Sequence, residues 1–160
     1  PADAVRLLRD HSGRPEEDVA TFVDALAFLW LIGGTDGHAK NYSLLHAAGG
    51  RVRLAPLYDL ASVLPYPSFD ARRVKLAMRI GSKYRLEEIR RRQWEELARE
   101  LKLDGAGVVA RIASMADRAP EAAAEIRDRL VSREAGHPIV ARLAKLISDR
   151  ARHCARLLRE

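Results

Sequence analysis

Three oxygen-bearing side chains stand at fixed intervals in the first half of the chain: Asp36, Asn41 five residues on, and Asp59 eighteen residues beyond that. A carboxylate can take the proton that an attacking hydroxyl must lose. An amide carbonyl and a second carboxylate suit a hard divalent cation such as Mg²⁺, which prefers oxygen ligands. A base for the acceptor and a cation to offset nucleotide phosphates are the working parts of phosphoryl transfer. Taken singly, Asp36 reads better as a solvated loop acid or a helix-end cap than as a catalytic group. The company of Asn41 and Asp59 favours chemistry, because catalytic loops for phosphoryl transfer to hydroxyls place the base Asp five residues before a metal-binding Asn.

The elements that must position these residues can be read around them. The stretch 34-GTDGHAKNYSLL-45 follows the apolar run 25-ALAFLWLIG-33 directly. Pro15-Glu16-Glu17-Asp18 reads as a helix start, with proline in the first turn and acids on the positive end of the dipole. Val19, Phe22, Val23, Leu26, Leu29 and Trp30 follow at helical spacing. From Leu26 onward nearly every face is apolar, so the helix should end inside the protein, stopped by Gly33-Gly34. Tyr42 to Leu45 and Val52 to Ala55 read as two strands around an Ala47–Gly50 turn, and this hairpin would bring positions 41 and 59 to one cation. A Pro/Ser loop follows through Pro65, Pro67 and Ser68, and Val74 to Ile80 reads as a further extended stretch.

Most of the remainder reads as helix. Residues 3–10 form a short one. Leu86, Ile89, Trp94, Leu97 and Leu101 mark another, and Val108, Val109, Ile112, Met115 and Ala116 a third. Pro120 should kink or restart that third helix, with Ile126 and Leu130 continuing its core-facing stripe. Ile139, Val140, Leu143, Ile147, Ala151, Cys154 and Leu158 mark the last. The fold class is therefore mainly α: a helical bundle with a small β-hairpin, read as one domain over 1–160, with the loop and metal segment at about 16–80 and a helical tail at about 84–160.

Bulk properties set outer limits. The 160 residues are 48% hydrophobic and 31% charged. The longest apolar run falls short of the ~20 residues of a membrane span. Cys154 is the only cysteine, which excludes an internal disulfide and suggests a reducing cytoplasm. Residues 1–71 carry 6 Lys and Arg against 9 Asp and Glu, whereas residues 72–160 carry 22 against 13. The basic half suggests an anionic partner, and a plain Arg bias is the alternative. No Ser stands in a nucleophile-type turn. No second His lies at ligand spacing from His38, which argues against a zinc-type site. Lys40 reads most simply as a local partner for an acid, Tyr58 and Trp30 as packing residues, and Cys154 as inert core.

The run 30-WLIGGTDGHAKNYSLL-45, followed by 54-LAPLYDLAS-62 and 75-KLAM-78, resembles the HipA family of toxin Ser/Thr kinases over essentially the whole chain. The resemblance implies a kinase-like C-terminal lobe, with Asp36 as catalytic residue and Asn41 and Asp59 as Mg²⁺ ligands. His38, Lys40 and Tyr58 match positions near the nucleotide, and His38 either contacts a phosphate or orients the loop. It further implies ATP and Mg²⁺ as cofactors, a protein substrate of translation such as an aminoacyl-tRNA synthetase, a HipB-like helix-turn-helix antitoxin, and operator DNA bound with that antitoxin. The Arg90-Arg91-Arg92 run and the Arg residues of the last helix could meet DNA phosphates or an acidic antitoxin face. An exposed helix laced with Glu87, Glu88, Glu95, Glu96 and Glu100 explains the Arg run as well. No Gly-rich phosphate loop and no strand lysine precede the motif. With Pro1 in place of Met, this suggests the C-terminal lobe alone, without the ATP-cradling lobe. A small-molecule or lipid kinase, and a non-catalytic module binding an antitoxin, DNA or another subunit, are the rival readings.

Overall fold

Proline at the first helical position and acids at 16, 17 and 18 begin the central helix of the computed structural model, which describes residues 1–70, 73–132 and 137–160. This helix, α2, spans Pro15–Ile32, preceded by α1 over Ala2–His11. Phe22, Ala25, Leu26, Ala27, Leu29, Trp30, Leu31 and Ile32 are all buried, so the helix does end inside the protein. Gly33 ends it in the left-handed conformation, φ 67°, which costs glycine nothing. α1 and the later helices pack around α2, and the core centres on Trp30 and Trp94, edge to face at 5.6 Å.

Two separate antiparallel hairpins lie beside the helices. β1 (Leu44–Ala47) pairs with β2 (Arg51–Leu54), Leu44 opposite Leu54 and Ala47 opposite Arg51. Its turn uses Gly49 and Gly50 at φ 76° and 73°, so these glycines make a turn. The ladder sits slightly later than the sequence suggests, because Tyr42 packs its ring edge against Phe22 of α2 instead of pairing. The expected extended stretch is β3 (Lys75–Ile80), and it has a partner, β4 (Lys83–Arg85), across a turn at Gly81.

The helical tail departs from expectation at three points. α3 runs Arg91–Glu100, so Leu86 and Ile89 are fully buried but precede the helix. The Arg90 backbone N–H donates to Gln93 Oε1 at 3.0 Å, which sets the helix start there. α4 runs Gly105–Val131 as one helix that contains Pro120, so the chain does not restart a helix there; it is capped by Asp104, which accepts from the Ala106 and Gly107 N–H groups. Alanines at 119, 122, 123 and 124 favour the helix on both sides of the proline, and α5 (Pro138–Arg159) packs back along it. Ile126 does not face the core: it is 48% exposed. α4 buries no residue beyond Ala116, and α5 buries none before Ala144, so their outer ends reach past the body of the protein.

Candidate active site

The C-terminal end of α2 delivers the loop that carries Asp36. Gly34 N–H donates to Leu29 O at 2.8 Å, and the loop then lies directly on the Leu29 side chain. A Cβ at Gly34 or at Gly37 would collide with that side chain, and at Gly34 would also come within 2.9 Å of Ala61 O. Both glycines are therefore needed for close approach, and Asp36 is held between them.

Asn41 closes the loop. Its Nδ2 donates to the backbone carbonyl of Asp36 at 3.0 Å and to Asp59 Oδ2 at 2.9 Å. His38 N–H shares the same Asp36 carbonyl at 2.8 Å, and Asn41 N–H donates to His38 O at 3.0 Å. A carbonyl and a carboxylate can only accept, so the amide nitrogen must face both. This leaves Asn41 Oδ1 without a protein donor among the described residues, in a residue only 7% exposed. The loop and the Asp59 segment are thus joined through one side chain across the hairpin.

Asp59 is set by its own segment. It takes φ 56°, a left-handed conformation that Asp tolerates better than most residues. Ser62 Oγ donates to Ile32 O, and Val63 N–H donates to Gly33 O at 3.2 Å, so this segment caps the end of α2. Ala55 N–H donates to Ser43 O at 2.8 Å, extending the hairpin ladder toward the site. Tyr58, 45% exposed, is not a packing residue. Its hydroxyl hydrogen-bonds Ser43 Oγ at 2.7 Å and donates to Lys40 O at 3.1 Å, a second tie between the two segments.

The other expected site residues are exposed. The Asp36 carboxylate side chain is 73% exposed, with His38 Nε2 3.5 Å from its Oδ1. Lys40 is exposed, and among the described residues its ammonium has no ion-pair partner, so the expected local acid is missing. Burial pushes the Tyr42 hydroxyl up to about 12, consistent with a ring that anchors the loop and does not titrate near neutrality.

Residues outside the motif also build the site. Asp18, 3% exposed, receives Arg53 Nε and Nη2, the Leu54 N–H at 2.7 Å and the Ser12 hydroxyl at 2.6 Å. This fixes β2 to the start of α2. Burial alone would raise its pKa, but Arg53, Ser12 and Leu54 outweigh it and hold the carboxyl below its ordinary value. The sequence marks Asp18 only as a first-turn acid.

Among the described residues no three His, Cys, Asp or Glu side chains converge as a metal cluster. Asn41 turns its Nδ2 to Asp59, and its Oδ1 and the Asp59 carboxylate are both oxygen donors. Mg²⁺ commonly takes one or two protein ligands and completes its shell with water and phosphate, so this donor set fits it.

The fold can be placed beside known structures. A chain of the Shewanella oneidensis MR-1 toxin–antitoxin complex of HipA, HipB and its operator DNA superposes with a TM-score of 0.80 over 97% of this chain and 36% of its own, at 23% identity, which establishes a shared fold. Residues 2–123 match the HipA-like C-terminal domain, and the chain belongs to that family. Two Sinorhizobium fredii proteins carrying the name "Putative kinase" are similar to it: Y4mE, 38% identical over 78% of this chain and 29% of its own length, and Y4dM, 47% identical over 31% of this chain and 12% of its own. The chain spans about a third or less of the length of these relatives. No helix among the described residues is long and apolar enough to cross a membrane.

Proposed function

We propose that this chain is the catalytic-loop lobe of a HipA-type Ser/Thr protein kinase, transferring the γ-phosphate of ATP to a protein hydroxyl. The observation that carries the reading is Asn41, whose one amide nitrogen holds the Asp36 carbonyl and the Asp59 carboxylate together. Asp36 presents an exposed carboxylate from a rigid loop, ready to accept the proton of an acceptor hydroxyl. His38 stands beside that carboxylate and helps orient it. Lys40, exposed and unpaired among the described residues, is available to a phosphate oxygen. Tyr58 keeps the Asp59 segment in register with the loop. Asn41 Oδ1 and Asp59 are the groups that would hold Mg²⁺, which when bound offsets the charge of the nucleotide phosphates.

The likeness to the HipA chain of a complex with HipB and its operator DNA supports a toxin–antitoxin setting, with a HipB-like helix-turn-helix antitoxin and operator DNA as the proposed partners. A protein of the translation machinery, such as an aminoacyl-tRNA synthetase, is the proposed substrate. The test is Asp36→Asn in the full-length polypeptide. Loss of ATP-dependent phosphorylation and of toxicity, with antitoxin binding intact, is the expected result. Unchanged phosphorylation by the variant overturns the assignment of the base, and absence of any phosphotransfer by the wild type overturns the kinase reading.

A further inference from the structure

The end of α2 leaves backbone carbonyls with no helical partner, as every helix C-terminus does. Ile32 O and Gly33 O are satisfied by Ser62 and Val63 of the Asp59 segment. Trp30 O is satisfied from far away in the chain: Arg150 Nε, on α5, donates to it at 2.9 Å across 120 residues. Arg150 is 8% exposed, and its Nη1 donates to Glu87 Oε1 at 3.1 Å. Glu87 Oε2 lies 3.5 Å from His153 Nε2, and the Trp30 indole donates to Leu86 O at 3.2 Å. One corner of the molecule therefore locks four elements together: the end of α2, the turn at 86–88, the Asp59 segment and α5. A guanidinium suits this place, since its donors fork in a plane and its charge faces the negative end of the α2 dipole. α5 lies wholly beyond residues 2–123, the part matched by the family model.

We propose that Arg150 is a positioning residue for the loop bearing Asp36 and Asn41, acting through the Trp30 carbonyl, so that the tail beyond the matched family region sets the geometry of the site. The proposal rests on the kinase reading for its catalytic consequence, but its structural half can be tested without any activity. Gly34 follows Trp30 by four residues and Asp36 by six, so rotation of the last turn of α2 is carried directly into the loop.

The experiment uses Arg150→Met, Arg150→Lys and, as a control from the same helix, Leu158→Ala, which opens the core without touching Trp30 O. Amide hydrogen exchange of the 160-residue chain is compared between variants, corrected for their loss of melting temperature. Arg150→Met is expected to raise exchange at residues 33–41 by about tenfold over the control, with Arg150→Lys in between. In the full-length polypeptide, Arg150→Met is expected to lower kcat by about 10–100-fold while the KM for ATP holds, as small misplacements of catalytic groups do. Arg150→Ala should regain rate with millimolar guanidinium and not with ammonium. Equal, uniform increases in exchange for Arg150→Met and Leu158→Ala would overturn the proposal. If the wild type transfers no phosphate, the kinase reading fails, and the exchange experiment alone decides the role of Arg150. If Arg150→Met does not fold, Arg150→Lys carries the same comparison.

Discussion

Arg53 of β2 closes on Asp18 of α2 with its Nε 3.0 Å from Oδ1 and 3.1 Å from Oδ2, and its Nη2 2.8 Å from Oδ1. The same carboxylate also takes the Leu54 N–H and the Ser12 hydroxyl, so one buried acid ties the hairpin to the helix that ends at the site. Asp18→Ala would leave the Leu54 N–H of a half-buried residue and the Arg53 guanidinium without their acceptor, at a cost of about 2 kcal/mol. In a chain of this size that corresponds to a melting temperature lower by about 4–8 °C, measurable by circular dichroism.

The pH dependence of stability follows from the same contacts. The folded-state pKa of Asp18 lies below its unfolded value. Its contribution is therefore fully present above the unfolded value of about 3.9 and is lost as pH falls from there through the lowered folded value. Melting temperature should drop in that acid window, and Asp18→Asn should flatten the drop. Parallel curves for the wild type and the variant would show that Asp18 is not the group responsible.

Gly37 should be irreplaceable for a local reason. A Cβ there collides with the Leu29 side chain, so Gly37→Ala is expected to cost about 1–3 kcal/mol by overpacking. Shortening the neighbour should relieve it. The double variant Gly37→Ala with Leu29→Ala should be less destabilised than the sum of the single variants by about 1 kcal/mol or more. Strict additivity in denaturant melts would contradict the contact.

Cys154 is fully buried, and burial pushes its thiol up to about 11. Only the thiolate reacts. The native chain should resist a thiol reagent such as iodoacetamide at pH 8, and the unfolded chain should take up one equivalent. Rapid labelling under native conditions, read by mass spectrometry, would mean that α5 opens far more readily than its packing allows.

How legible these features were depended on distance along the chain. α2 and its stop could be read because its apolar face widens until the helix must be buried, and Gly33 follows at once. The first hairpin was legible from its turn, where Gly49 and Gly50 both take positive φ. Asp36, Asn41 and Asp59 could be singled out because phosphoryl transfer prescribes residue types as well as intervals. β4 was not legible, since Lys83-Tyr84-Arg85 offers one strand-forming side chain and no alternation. Ile126 kept its place in the helical stripe while the body of the protein ended near Ala116, and periodicity carries no information about where neighbours stop. The partnerships of Asp18 with Arg53 and of Arg150 with Trp30 join residues 35 and 120 apart, with no local pattern to announce them. Lys40 shows the opposite error: a charge four residues from Asp36 in sequence that pairs with no acid among the described residues.

The most direct measurement is the rate of phosphotransfer by the full-length polypeptide as a function of Mg²⁺ concentration, for the wild type, Asp36→Asn and Asn41→Ala. If Asp36 is the base, its variant should lose about 10²–10⁴-fold in rate at every Mg²⁺ concentration. If Asn41 supplies a carbonyl to the cation and braces Asp59, its variant should need at least about tenfold more Mg²⁺ for half-maximal rate. Wild-type rates and an unshifted Mg²⁺ dependence in both variants would contradict the account.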